Sequence, residues 1–373
     1  MERNPLSILI GCTSKAWGGN EKWALDAAEA LRGRGHIVHV FWTHDAVGDE
    51  LRIRGIPGRR IRLRGDVDVF GFSALAAFIR TTRADVLLLT KQLEYWLGGL
   101  AARVAGRPLV ALRLGTELRQ RSDFKRRASF GRLADVVIVP AESARRALEH
   151  VPGFDARKVR VVYTGVSADP VDADEGERAI RDLGIPAGAP LVCGVGRLGR
   201  VKGFDLLIDA FGGVLAALPD ARLLILGEGG ERGALEAAAS GLGDSVVLAG
   251  YSDRVREILA ATNVYVLSSR YEGMANTLLE AMSVGAPIVA TDVSGTREAV
   301  RDGVDALVVP PEDPGALRDA ILRLFRDREL ARALGRSARE RARESFSRDR
   351  MADGLEEAFG AGVKGRTGTM EDR

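Results

Sequence analysis

Two glutamates eight positions apart, Glu272 and Glu280, are the residues whose chemistry is most legible in this chain. They lie in Ser268-Ser269-Arg270-Tyr271-Glu272-Gly273-Met274-Ala275-Asn276-Thr277-Leu278-Leu279-Glu280. A carboxylate accepts hydrogen bonds from two vicinal hydroxyls at once. The apolar run Val264-Tyr265-Val266-Leu267 predicts a buried strand, and residues Asn276 to Val284 predict a helix. Glu272 then falls in the loop at a strand's C-terminal end, with Glu280 one to two turns into the next helix. In an open α/β sheet ligands bind at such strand ends. Backbone N–H groups from Gly273 to Thr277 would be free at a helix N-terminus, which seats anions. Gly273 and Ala275 are small enough to let backbone approach a ligand. A lone glutamate is most often a solvated surface residue; the small residues between strand and helix argue against that here.

A second set follows the apolar run Leu191-Val192-Cys193-Gly194-Val195. Gly196-Arg197-Leu198 opens a turn, and Val201-Lys202-Gly203 closes it. A guanidinium and an ammonium converging there would stabilise negative charge on a bound anion without a metal. Leu226-Gly227-Glu228-Gly229 follows another strand-like run; alone, this Gly-x-Gly is weak evidence for phosphate binding. Trp17-Gly18-Gly19-Asn20 lies between the first strand and its helix. Paired glycines there allow close backbone approach, and the helix N-terminus adds partial positive charge. A turn needing left-handed backbone at Gly18 or Gly19 is the plainer alternative.

These loops need strands to hold them. Ser7 to Ile10, Ile37 to Phe41, Val86 to Leu89, Pro108 to Leu112, Val136 to Val139 and Val159 to Val162 read as buried strands, separated by helical patterns such as Glu21 to Gly33. The pattern restarts at Leu191 and runs through Leu223 to Leu226, Val246 to Ala249, Val264 to Leu267, Pro287 to Ala290 and Ala306 to Val309. Alternating β and α predicts an α/β fold with right-handed crossovers. Two series predict two Rossmann-like domains facing across a cleft, residues 1–166 and 178–347. The polar stretch 166–177 reads as a linker. Residues 314–359 read as mostly helical, broken near Ser345-Phe346-Ser347, and residues 361–373 as a flexible tail.

The 373 residues suffice for two domains, and 46% hydrophobic with 28% charged residues is a soluble globular composition. The two cysteines, Cys12 and Cys193, sit in apolar runs; they read as buried free thiols, and no metal-binding spacing occurs. The start Met1-Glu2-Arg3-Asn4-Pro5 lacks a signal peptide's apolar core, and no apolar run reaches spanning length. A cytoplasmic location is expected. The net charge of +3 hides a split: 28 Lys+Arg against 17 Asp+Glu up to Gly165, and 26 against 34 after it. The excess lies in Arg52 to Arg64 and Arg119 to Arg132. Either this is an ordinary wet surface, or it attracts an anionic acceptor or the inner membrane face. Nucleic acid is not expected, since the basic stretches lack interleaved aromatics. Of the four histidines, His39 reads as a strand residue, and His36, His44 and His150 as surface turns.

The E-x7-E segment, with Gly196-Arg197 and Lys202-Gly203, resembles the retaining glycosyltransferases of GT-B fold, family four (glycosyl transferases group 1). The resemblance spans nearly the whole chain and is most specific in the second half. It implies that Glu272 contacts donor-sugar hydroxyls, Glu280 holds the ribose, and Arg197 and Lys202 neutralise the diphosphate. It further implies that backbone at Gly273, Met274, Ala275, Asn276 and Thr277 positions sugar oxygens. Gly227 would then lie near the donor, Gly250 and Tyr251 near the nucleobase, and Gly18 and Gly19 near the diphosphate or acceptor. The last helix, about residues 348–360, would cross back onto the first domain. The donor would be a nucleotide-diphosphate sugar, with no cofactor or metal, in cell-surface glycan or glycolipid biosynthesis such as that of lipopolysaccharide. In one place the chain departs from the family: Leu114 stands where many members have a histidine, in Arg113-Leu114-Gly115-Thr116-Glu117. Arg113, Thr116 and Glu117 are then the acceptor-side candidates.

Two alternatives use the same residues. One is a nucleotide-sugar epimerase or hydrolase of this architecture. The other is a non-catalytic protein that binds a nucleotide sugar or a membrane surface. A dinucleotide-dependent dehydrogenase is disfavoured, because a full Gly-x-Gly-x-x-Gly run is missing after the first strand.

Overall fold

A computed structural model describes residues 4–13, 18–65, 67–115, 128–149, 151 and 154–371. The chain divides into two compact units, residues 1–165 with 348–373, and residues 166–347.

In the first unit the strands are β1 (Ser7–Cys12), β2 (Ile37–Trp42), β3 (Gly58–Arg60), β4 (Val86–Leu89), β5 (Leu109–Arg113), β6 (Val136–Val139) and β7 (Val159–Val161). Among the described residues they form one seven-stranded sheet, ordered β3-β2-β1-β4-β5-β6-β7, with every pairing parallel. Both faces are covered by helices, which is why β4 and β6 are apolar at every position. Strand order reverses between β1 and β4, since β1 pairs Ile8 with Val38 on one side and with Val86 on the other. β3 carries no hydrophobic signal and was not expected. It is an edge strand of Gly58, Arg59 and Arg60, all exposed, and charge on an edge discourages further pairing.

The helix Arg348–Glu371 belongs to this unit. Its Met351, Ala352, Leu355, Ala358 and Phe359 pack into the core with Leu109, Ala111 and Ile138. Arg34 binds Asp353 at 2.6 Å and Glu356 at 3.4 Å, and Arg348 binds Asp26 at 2.9 Å. The helix runs on to Glu371, past residue 360, where a flexible tail is expected from sequence. Gly362 lies against Leu109, where a Cβ would come within 2.5 Å of Cδ1, so packing overrides poor helix propensity. His36 is not a surface turn. It is 7% exposed, its Nδ1 accepts from the Leu6 N–H at 3.0 Å, and its Nε2 therefore donates to Glu356 Oε1 at 3.0 Å. His44 caps the helix Asp45–Ile53 by accepting from the Ala46 N–H. His39 lies in β2, and His150 falls outside the described residues.

In the second unit the strands are β8 (Leu191–Val195), β9 (Arg222–Leu226), β10 (Val246–Gly250), β11 (Val264–Leu267), β12 (Ile288–Thr291) and β13 (Leu307–Val309). Among the described residues they form a six-stranded parallel sheet, ordered β10-β9-β8-β11-β12-β13. Here the order reverses between β8 and β11. The stretch 166–177, expected as a linker, holds the start of a helix in its second part. The Val166 N–H donates to the Phe346 carbonyl at 2.7 Å, and Asp172 caps a helix over Ala173–Asp182. Gly176 explains its packing: a Cβ there would meet the Glu257 carbonyl oxygen at 2.0 Å, so only glycine lets the two helices touch. The helical C-terminal stretch also breaks at Asp327, which caps the helix Arg328–Ser345.

Cys12 and Cys193 are fully buried free thiols, and burial pushes Cys193 up to about 12. Among the described residues no helix is long and apolar enough to cross a membrane.

Candidate functional site

Strand order reverses between β8 and β11, the place in an open parallel sheet where ligands bind beyond the strands' C-terminal ends. The loop after β8 holds Arg197 and Lys202; the loop after β11 holds Glu272. Gly203 has a left-handed backbone (φ 63°), and a Cβ on it would strike the Ser268 carbonyl at 2.1 Å, so glycine is what lets the two loops meet. Ser268 Oγ donates to the Lys202 carbonyl at 2.9 Å, and the Arg270 N–H to the Val201 carbonyl at 2.8 Å. The result joins side chains 70 residues apart: Lys202 Nζ lies 2.5 Å from Glu272 Oε1.

Glu272 is held from several directions. Ser269 Oγ donates to the same Oε1 at 2.8 Å, and Ser294 Oγ donates to the Glu272 carbonyl at 3.0 Å. Gly295 packs against the loop so closely that a Cβ would meet the Gly273 carbonyl at 1.9 Å. Arg270 makes a bidentate pair with Asp205 at 2.6 and 2.7 Å and binds Glu312 at 2.6 Å, clamping the loop from outside. The Arg270 hydrogen bond holds the Asp205 carboxyl below its usual range. By contrast, a Cβ on Gly273 would meet nothing within 4 Å, so this backbone faces open space.

Glu280 sits in the helix Asn276–Val284 and is 5% exposed. Met274 and Ala275 are buried, and Asn276 and Thr277 open the helix half-exposed. Beneath them Tyr265 OH and Thr277 Oγ1 share a hydrogen bond of 2.9 Å. Burial pushes the Tyr265 phenol far up, and the charges of Glu272, Cys193 and Glu280 push it further.

Beside this pair, three glycine turns stack at neighbouring strand ends. The Gly196 N–H donates to the Leu226 carbonyl at 2.9 Å and the Gly227 N–H to the Gly250 carbonyl at 2.7 Å. A Cβ on Gly227 would lie 1.9 Å from the Gly196 carbonyl. Gly250 has φ 80°, and Tyr251 beyond it is 65% exposed. Arg197 is exposed and makes no ion pair among the described residues. The second unit thus brings Lys202 and Glu272 into contact and aligns Gly196, Gly227 and Gly250 beside them.

The first unit gathers its own candidates at the β1/β4 reversal. Gly18 caps the helix Gly19–Gly33 in extended, not left-handed, backbone (φ −173°). Arg113 is 5% exposed, donates from Nη1 to Asn20 Oδ1 at 2.7 Å and stacks 3.8 Å over the Trp23 ring. Burial lowers it to about 10, against the raising influence of Tyr95 and Glu21. Asn20 Nδ2 in turn donates to Thr90 Oγ1 at 3.1 Å. Leu114 is buried, its N–H on the Ile138 carbonyl. Thr116 and Glu117 lie outside the described residues, as do Trp17 and residues 119–127 of the second basic stretch.

Sequence reasoning missed Ser269, Ser294, Gly295 and the Arg270–Asp205 clamp. Arg270 and Ser269 flank Glu272 directly and could have been noticed. Ser294-Gly295 follows a different strand, and its signal is a Ser-Gly pair just past a strand end. It also missed the fully buried Glu94, whose carboxylate accepts from Thr13 N and Oγ1 at 2.6 Å and from the Thr90 N–H at 2.7 Å.

Residues 189–327 match the family described as Glycosyl transferases group 1, and residues 17–170 match Glycosyltransferase Family 4. The D-inositol 3-phosphate glycosyltransferase of Geodermatophilus obscurus is 31% identical over 93% of this chain and 85% of its own length. The lipopolysaccharide core biosynthesis glycosyltransferase LpsE of Rhizobium meliloti is 33% identical over 62% of this chain and 66% of its own length. Among solved structures, Anabaena Alr3699/HepE in complex with UDP and glucose aligns with a TM-score of 0.83 at 22% identity, covering 95% of this chain and 100% of that one. A glycosyltransferase from Rickettsia africae aligns with a TM-score of 0.85 at 17% identity, covering 97% and 100%.

Proposed function

This chain belongs to glycosyltransferase family 4 (glycosyl transferases group 1), with the two Rossmann-like domains of the GT-B fold, and we propose that it transfers a sugar from a nucleotide-diphosphate donor with retention of configuration. The observation that carries this reading is the contact of Lys202 with Glu272 at the β8/β11 reversal, on loops that also present Arg197 and the open Gly273 backbone.

In this reading Arg197 and Lys202 take the diphosphate, so no metal is required. Glu280 holds the ribose diol and Glu272 orients the sugar. Backbone N–H groups from Gly273 to Thr277 meet sugar oxygens, and Gly227 gives the phosphates room. Gly250 and Tyr251 border the base, and Gly18 and Gly19 lie toward the diphosphate or acceptor. The bond from the anomeric carbon to the diphosphate oxygen breaks, and its electron pair leaves on that oxygen. The acceptor oxygen bonds the same face, and its proton passes to the departing oxygen. The two cations stabilise the charge that develops there. The relative solved with UDP and glucose makes a uridine-diphosphate sugar the first donor to test. The basic first half of the chain, and a relative named for a phosphorylated acceptor, support an anionic or lipid-linked glycan acceptor, with Arg113 on the acceptor side. A cytoplasmic reaction fits that donor.

The test is transfer from a panel of nucleotide sugars in the presence of a chelator, with the product's anomeric configuration read by NMR. A product with the donor's configuration, unaffected by chelator, is expected. An inverted product refutes retention, and a chelator-sensitive rate refutes metal independence. Free sugar released in water alone points to a hydrolase, and nucleotide binding without any product to a binding protein.

A further inference from the structure

The structure sorts the arginines of the first basic stretch into two groups. Arg52 pairs with Asp49 at 2.9 Å and Arg60 with Asp45 at 2.6 Å. Arg54 is 17% exposed and meets Asp26, Glu29 and Glu50 within 3.3 Å, so its charge is spent inside the fold. Arg59, Arg62 and Arg64 are exposed, and none has an ion-pair partner among the described residues.

These three precede a cluster of strongly exposed apolar residues that includes the two most exposed large hydrophobics among the described residues, Val67 and Phe70. Val67 is 91%, Val69 is 69% and Phe70 is 89% exposed. Asp68 between them caps the helix Val69–Thr81 through the Gly71 N–H at 2.9 Å, and its other oxygen accepts from the Arg64 N–H. These bonds anchor the start of the helix, where Val69 and Phe70 are exposed. From Val69 to Ile79 this helix carries no charged residue, although Ser73 and Ala77 on it are exposed. A surface helix normally turns charge outward. Large apolar side chains held out beside exposed arginines, of which only Arg64 has its charge near that of Asp68 among the described residues, mark a surface built to be covered.

We propose that Val67, Val69 and Phe70, with Arg59, Arg62 and Arg64, form an anchor that docks this protein on an anionic lipid surface. The apolar side chains enter the boundary between headgroups and acyl chains, and the arginines meet lipid phosphates. Charge complementarity favours lipid over a second copy of this chain, because an isologous contact would set the same arginines against each other. The proposal does not depend on the transfer chemistry.

The full-length protein is sedimented with vesicles of phosphatidylcholine, alone or mixed with phosphatidylglycerol. Wild type is expected to bind the anionic vesicles, and more weakly as salt rises. Arg59→Gln/Arg62→Gln/Arg64→Gln is expected to lower partitioning by roughly a hundredfold, at about fivefold per arginine. Val67→Ser/Val69→Ser/Phe70→Ser is expected to lose binding to the anionic vesicles while keeping its melting temperature. Cys12 and Cys193 are fully buried, so Val67→Cys can be labelled selectively with a polarity-sensitive fluorophore. Its emission should shift to the blue on anionic vesicles. Absence of wild-type binding, unchanged binding by either triple variant, an unshifted probe, or a dimer that buries the probe without lipid would each overturn the proposal.

Discussion

Replacing Lys202 by alanine separates the energy of an ion pair from the energy of catalysis. Lys202 and Glu272 meet at 2.5 Å with side chains 22% and 12% exposed. Breaking a fully buried pair costs about 3–5 kcal/mol, because one charge is left stranded. Exposed pairs contribute about 0–1 kcal/mol. This pair lies between the two, and Glu272 keeps the Ser269 hydroxyl at 2.8 Å, so Lys202→Ala should cost about 1–3 kcal/mol. A loss of that size lowers the melting temperature by roughly 2–12 °C for domains of this size. Transfer should fall much further. Removing one preorganised group aimed at developing negative charge typically costs about 10²–10³ in kcat. Denaturant titration and initial-rate kinetics on Lys202→Ala, Glu272→Gln and the double variant form a cycle. Its stability coupling should be about 1–3 kcal/mol, and its kinetic effects should be less than additive. A folded Lys202→Ala enzyme whose kcat stays within about tenfold of wild type would refute the placement of the diphosphate at this cation.

Three further predictions rest on the same geometry. Gly227→Ala forces a Cβ to within 1.9 Å of the Gly196 carbonyl at φ 140° and should cost about 2–5 kcal/mol in denaturant titration, whereas Gly273→Ala meets open space and should keep stability within about 1 kcal/mol while raising the donor KM. Equal stability of the two variants would contradict the packing described. Burial holds Cys193 protonated up to about 12, against an ordinary value of 9.0, so the folded state's advantage is full below 9.0 and is lost as pH rises toward about 12. Cys193→Ala should flatten that alkaline loss, and native protein should resist thiol alkylation at neutral pH. Arg113 is a buried cation with no carboxylate at ion-pair distance among the described residues, so Arg113→Met should leave stability unchanged or raise it by about 1–4 kcal/mol while weakening acceptor use. A loss above about 2 kcal/mol would mark Arg113 as a structural residue.

The sequence by itself determined the alternation of most strands with helices, because a parallel strand covered on both faces is largely apolar, whereas the exposed edge strand β3 left no such signal. It also determined that Glu272 follows a strand and Glu280 lies within the next helix, since both facts rest on local periodicity. Tertiary structure decided what those residues touch. The Lys202–Glu272 contact depends on β8 and β11 becoming neighbours and on Gly203 yielding to the Ser268 carbonyl, and neither leaves a local trace. The polar stretch 166–177 did carry a local helix signal, Asp172 as N-cap with Glu175 three residues on, but what that helix packs against was set by tertiary structure, where Gly176 lies against the Glu257 carbonyl. The arginines between residues 52 and 64 are alike in sequence, yet Arg54 is consumed by three acids from two helices while Arg62 faces solvent. Periodicity reports which face of an element is buried; long-range packing sets which charges meet, and with them where this protein can hold an anion.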